Sequence, residues 1–191
     1  GDFTLEAARV DRTKRIPTAP WDTIFNDTGA GTEDEGTLAG LAYAHVFPRD
    51  LEVLARLSYG RFDYDGSYPY WRPETLLPER AVTADNSRGE SWAGELQLTK
   101  GFRGGHKVIG GFEVRANTRQ DQGFTDVDFA FQDRSDSTNW GLFVHDEFAL
   151  APAVRVSAGV RHDHYEGHGS STNPRLALIV TPAPATPVQL L

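Results

Sequence analysis

The chain contains no cysteine and no methionine, carries no cluster of lysine or arginine, and has no long apolar run. Without cysteine, no disulfide chemistry is needed, which suits an exported protein. Without a basic block, and with a net charge of -8, there is no electrostatic footprint for nucleic acid, whose phosphates attract clustered cations. No stretch approaches the 18 or so apolar residues of a membrane-spanning helix. The mean hydropathy of -0.46 does not argue against a β-barrel with a polar lumen, because strands that alternate between lipid and water average out to a polar value. The missing methionine includes a missing start residue. The chain opens at Gly1 inside what reads as a strand, with no charged and apolar leader before it, so either processing or truncation is expected to have removed its natural beginning, truncation first.

What is present is alternation. Between Ser91 and Gln120, Trp92, Gly94, Leu96 and Leu98 share one face while Glu95, Gln97 and Thr99 take the other. The chain then reverses through Arg103-Gly104-Gly105-His106. Beyond it Val108, Phe112, Val114 and Ala116 face one way, and Glu113, Arg115, Asn117 and Arg119 face the opposite way. A period of two demands a sheet with one apolar face and one wet face. Such stretches recur near 2–13, 36–47, 51–64, 90–102, 107–120, 137–149, 153–165 and 173–181, with a ninth beginning at Val188. Short connections at 48–50, 103–106, 150–152 and 182–187 alternate with longer, mostly more polar ones at 14–35, 65–89, 121–136 and 166–172. That asymmetry predicts an all-β protein, an antiparallel up-and-down transmembrane β-barrel, with about eight strands in this chain. Short turns would be periplasmic and long loops extracellular.

Segments of ten to fourteen residues exceed the usual strand of a soluble sheet, which weighs against a soluble β-sandwich binding module. Register follows from cost, since a charge at lipid mid-depth costs about 2–4 kcal/mol. Val154, Val156, Ala158 and Val160 are therefore placed toward lipid, and Arg155, Ser157, Gly159 and Arg161 toward the lumen. In 51–64 the same rule sends Leu51, Val53, Ala55, Leu57 and Tyr59 outward, with Glu52, Arg56 and Ser58 inward. In 36–47, Leu41 and Tyr43 share one face, but Leu38, Ala42 and Val46 on the other are also apolar, so pattern alone leaves the register open. Phe47, Phe102 and Phe148 fall near short turns. Tyr59, Trp92, Trp140 and Tyr165 fall where strands meet long loops, as interfacial aromatic girdles would.

Three segments resemble the TonB-dependent outer-membrane receptors: NWGLFVHDEFAL at 139–150, VSAGVRHDHYEGHGSSTNPRLALIVTP at 156–182, and IPTAPWDTIFND at 16–27. The second is the most specific, with Gly159 to Asp163 leading through a polar loop into Asn173-Pro174-Arg175. The resemblance lies in the barrel and extends less sharply over nearly all 191 residues. It implies a partial receptor barrel over 1–191, part of a plugged barrel of about 22 strands, with the plug domain and the C-terminal strands absent. It also implies a Gram-negative outer membrane and energised uptake of a scarce ligand, a ferric siderophore first. The implied partners are outer-membrane lipid, the TonB energy-coupling complex reached through the missing plug region, and that siderophore or a similar small ligand. Another outer-membrane barrel, of adhesin or autotransporter type, is the competing membrane reading.

Candidate binding residues are Tyr68, Tyr70, Trp71 and Arg72 in the run Tyr68-Pro69-Tyr70-Trp71-Arg72-Pro73, which offers aromatic faces and a cation to a flat anionic ligand. The plainer alternative is that these residues stiffen and pack a long loop. Asp121, Asp126, Asp128, Asp133 and Asp136, with Arg134 the only cation among them, could attract a metal or a cationic ligand but read as a solvated loop. His162, Asp163, His164 and His168 have a spacing that metal sites use, yet the register sends His162 and His164 outward, and no HExxH, GxSxG or P-loop accompanies them. Glu113 and Arg115 opposite Glu95 and Gln97 read as a luminal polar network. No catalytic residue, metal or cofactor is assigned, and an enzyme is not expected.

Overall fold

The computed structural model describes residues 1–72, 77–183 and 186–190. Among them nine strands form one antiparallel sheet in chain order: β1 (Asp2–Arg15), β2 (Gly31–Phe47), β3 (Leu51–Arg72), β4 (Glu79–Gly101), β5 (Lys107–Thr125), β6 (Ala130–Ala151), β7 (Val154–Tyr165), β8 (Gly169–Ala183) and β9 (Thr186–Leu190). A short 3₁₀ turn, Pro20–Asp22, interrupts the β1–β2 connection. Each strand pairs with its neighbours in sequence, and among the described residues β9 does not return to β1, so the sheet is open. Among the described residues no second sheet packs on it, which is not the arrangement of a sandwich.

Cross-strand register fixes one apolar face. Leu41, Leu57, Gly94, Val114 and Trp140 lie in successive partner positions, as do Tyr43, Ala55, Leu96, Phe112, Leu142 and His162. The opposite face carries Ala42, Arg56, Glu95, Glu113, Gly141 and Asp163 in one row. The sheet curves so that this polar face is concave and encloses about 830 Å³. Curvature and residue pattern thus choose the same face as interior. The convex face leaves Leu57, Trp92, Leu96, Phe112 and Leu142 between 40% and 50% exposed with nothing of this chain to cover them, an apolar surface too continuous for a soluble monomer. At about 3.4 Å per residue, the run from Leu51 to Tyr59 extends about 27 Å, the length a tilted transmembrane strand needs. In β2 the open register is decided: Leu41, Tyr43 and Phe47 are convex, whereas Leu38, Ala42 and Val46 are concave.

The strands continue well past the expected ends. β3 and β4 pair as far as Arg72 and Glu79, so the region expected as a loop at 65–89 is mostly hairpin, and its central residues 73–76, including Pro73, lie outside the described residues. Likewise β5 and β6 close to a turn at 126–129 within the expected loop 121–136. The physical reason is that, beyond the apolar band, both faces meet water. Alternation then disappears from the sequence, while the backbone ladder persists. Ion pairs replace apolar contacts on the convex side there: Arg61 donates to Asp63 at 2.6 Å, Arg88 pairs with the same carboxylate, and Arg119 reaches Asp121 at 2.5 Å.

Arg119 corrects the expected alternation of β5. A bulge between Asn117 and Gln120 adds one residue to the strand, so Glu113, Arg115 and Asn117 are concave but Arg119 emerges convex, beside Glu90. A second correction concerns the girdle. Tyr59 and Trp92 meet on the convex face with ring centroids 4.9 Å apart, but Tyr165 pairs with Asn139 on the concave side. At the short-turn end Phe148 stacks on His106 at 4.8 Å, and Gly104 and Gly105 turn the chain at φ of 90° and 80°, where a side chain would be strained.

Candidate functional site

Two polar regions share the concave side. The lower one is a wall of paired charges. Arg161 on β7 donates to Glu113 on β5 at 2.6 Å and to Asp163 at 2.8 Å, with its guanidinium 5.8 Å over the Phe143 ring. The β6 position between them is Gly141, where a Cβ would stand 2.7 Å from Asp163 Oδ1 and 2.8 Å from Arg161 Nη2. That glycine makes room for the pair. Arg56 likewise donates to Glu95 at 3.1 Å. Each of these carboxylates faces a guanidinium, so the expected Glu95–Glu113 network is present but held by Arg56 and Arg161, as a structural lattice lining a wet surface.

The upper region is a cleft built by the β1–β2 connection. Residues 16–30 begin Ile16-Pro17-Thr18-Ala19-Pro20, a sequence whose prolines lack the N–H that a strand ladder uses, and they fold against the β3–β4 hairpin at Pro69 and Arg80. The Ile24 N–H donates to the Pro69 carbonyl at 2.8 Å, and the Ile16 N–H to the Ala30 carbonyl at 3.0 Å. Arg80 clamps Asp27 with two bonds of 2.8 and 3.0 Å, and Arg15 donates to the Thr28 carbonyl. Arg80 and then the Gly29 N–H hold the Asp27 carboxyl down to about 2. Ile16, Thr23, Ala30, Pro69 and Ala81 are buried here, in a molecule with few other buried side chains among the described residues. Trp21 and Asp22 take left-handed φ values of 54° and 62°, a conformation costing about 1–2 kcal/mol per non-glycine residue.

That strained turn places Trp21 edge-on to Tyr68, with centroids 6.1 Å apart and planes at 83°. Together with Tyr70, Thr83 and Phe124 the two rings border a cleft of about 510 Å³, with Asp22, Asp85 and Asp126 among its lining. The Tyr70 hydroxyl donates to Asp126 at 2.6 Å. This bond, followed by one from the Val127 N–H, keeps the Asp126 carboxyl below its ordinary value. Tyr64 and Tyr68 hydroxyls lie 2.5 Å apart, and burial pushes the Tyr64 phenol up.

Of the four residues expected to contact a ligand, Tyr68 and Tyr70 line this cleft. The other two do not: β3 alternation sends Trp71 to the convex side, 53% exposed, and Arg72 donates to Asp128 at 2.8 Å. A bare cation for an anionic ligand is therefore not what this hairpin presents. The acidic segment is corrected too. Asp121 is a strand residue paired with Arg119, Asp126 takes Tyr70, and Asp128 takes Arg72, so much of its charge is engaged rather than simply solvated. The histidines diverge. His162 and His164 are convex, bonded to Thr172 at 2.7 Å and Ser170 at 2.9 Å, whereas Asp163 is concave with Arg161 and His168 lies in the turn beyond. Sequence reading missed Trp21, Asp22, Asp85 and Phe124. The only signal for the first two was their place in the Pro-rich segment at 16–27.

A family model described as TonB dependent receptor-like, beta-barrel, matches residues 2–190. No curated protein matches the chain.

Proposed function

Since the chain belongs to the TonB-dependent receptor-like β-barrel family, whose members are outer-membrane receptors and transporters of Gram-negative bacteria rather than enzymes, we propose that it is part of the wall of a transporter for a scarce ligand, a ferric siderophore first. In this reading the convex apolar band meets outer-membrane lipid, the concave polar wall faces a wide lumen, and the cleft under residues 16–30 lies at the extracellular mouth. A plug region outside this chain connects the barrel to a TonB energy-coupling complex. The observation that supports it most is the coincidence of curvature with polarity, because a sheet bent around its charged face suits a water-filled interior and an apolar surround.

The open edges of β1 and β9 fit the same reading. An unpaired backbone group in hydrocarbon costs several kcal/mol, so both edges would pair with further strands that complete the barrel. The test is genetic and chemical together. Deleting the gene should abolish energy-dependent uptake of a radio-iron chelate, collapse of the proton gradient should do the same in the parent strain, and the protein should fractionate with the outer membrane. Normal uptake of a panel of ferric chelates by the deletion strain would remove iron transport. Recovery in the soluble fraction would remove the membrane reading.

A further inference from the structure

We infer that the cleft beneath residues 16–30 recognises a cationic group, so that the ligand it admits carries a protonated or quaternary amine on the part that enters between Trp21 and Tyr70. The inference rests on the uptake reading above and specifies the ligand class of its mouth. Aromatic faces and carboxylates converge there, while no basic side chain borders the cleft among the described residues. The guanidiniums of Arg72 and Arg80 on the same hairpin are bonded to Asp128 and Asp27.

Three features make this a built site and not simply a run of acids. The first is the enclosure of Asp85. It sits opposite Gly66 in the β3–β4 register, where a Cβ would overlap its carboxylate and approach the Tyr64 hydroxyl and Tyr68 ring to 2.7 Å. The missing side chain lets the acid lie flat against the sheet beside the aromatic rings. Asp85 Oδ1 is shielded from solvent with the Tyr64 hydroxyl against it, and among the described residues no cation pairs with this carboxylate, so its charge is solvated by a phenol but not neutralised. The second is Asp126, aimed by the Tyr70 hydroxyl and the Val127 N–H, which fixes one oxygen and the plane of the carboxylate. The third is Trp21, 79% exposed and held above the cleft by left-handed backbone at its own position and at Asp22. An exposed indole fixed at a strained turn is spent on presentation, not on packing. Aromatic faces attract ammonium groups, most strongly when the contact is desolvated, and a carboxylate adds a charge-assisted hydrogen bond. An anionic chelate would instead meet three carboxylates.

The test uses the full-length protein as the cell makes it, purified in detergent, with tryptophan fluorescence as the readout. Three probes are titrated: the ferric complex of a linear trihydroxamate bearing a free terminal amine, the same complex with that amine acetylated, and tetraethylammonium. The expected result is at least about tenfold tighter binding of the free-amine complex, with Asp126→Asn and Asp22→Asn each shrinking the gap. Asp22 is exposed and without a described partner, so its substitution leaves the fold intact. Equal affinity for the two complexes would overturn the inference while leaving ferric uptake standing. Saturable quenching by tetraethylammonium that depends on Asp126, with no response to either complex, would uphold the inference and reject the siderophore. No response to any of the three would overturn it.

Discussion

At the scale of single residues, the fold depends on a few positions where a guanidinium, a carboxylate and an absent side chain meet. Gly141 is one. A valine there would drive into Arg161 and Asp163, and overpacking of this kind costs about 1–3 kcal/mol. At Gly36 a Cβ would meet nothing within 4 Å, so Gly36→Ala should change stability by less than about 0.5 kcal/mol. Denaturant melts of the two variants in one detergent would show the contrast, and equal melts would deny Gly141 its role. Asp27 is another. Its carboxyl lies below its ordinary 3.8 in the folded protein, so the Asp27–Arg80 contact favours the docked connection at all pH values above 3.8 and loses that contribution as pH falls toward about 2. Residues 16–30 should therefore loosen across that acidic window. With Asp27→Asn they should already be loose at neutral pH and titrate no further through this group. Amide exchange of that segment measures both, and unchanged exchange in Asp27→Asn at neutral pH would count against the clamp.

At the scale of the strand, alternation translates into a sharp difference between neighbours. Leu96→Arg puts a charge on the convex band and should destabilise the bilayer-folded protein by about 2–4 kcal/mol, whereas Gln97→Arg, one residue later on the concave face, should cost less than about 1 kcal/mol. Refolding into lipid vesicles under a urea gradient distinguishes them, and similar costs for both would erase the assignment of faces. The bulge in β5 makes a second contrast. Removing one residue from a paired strand normally turns every later side chain to the other face. Thr118 lies in the bulge, so its deletion should leave Asn117 concave, Arg119 convex and Gln120 concave, as they are now. Deleting Val114 instead should turn the remainder of the strand over. Assembly into the outer membrane, followed by heat-modifiable mobility on gels, should survive the first deletion and fail with the second.

At the scale of the whole molecule there is almost nothing inside. Among the described residues, buried apolar side chains are few and lie largely within and beneath residues 16–30, so hydrophobic burial there cannot offset the conformational entropy of ordering such a sheet. In the proposed setting stability comes from outside, from lipid on the convex face and from further strands at both edges. In plain buffer the chain should therefore remain unfolded or aggregate, and it should acquire β circular dichroism only with detergent or lipid. A monomer that refolds in buffer with a cooperative melt would contradict the membrane reading at its root.

What the sequence determined by itself was the alternating band: the identity of the strands, the convex placement of Val154 to Val160 and Leu51 to Tyr59, and the concave placement of Arg56, Glu95 and Arg161. Lipid imposes a cost on each misplaced charge, and a cost paid at every second residue leaves its mark in composition. Tertiary structure alone decided what lies beyond that band. With water on both faces no alternation is selected, so the long upper hairpins and the convex position of Arg119 were not legible; within the band, the register of β2 was hidden because both of its faces carry apolar residues. The cleft was least legible, because Trp21, Tyr70, Asp85 and Phe124 come from four separate segments, and only the fold of residues 16–30 over the β3–β4 hairpin brings them together.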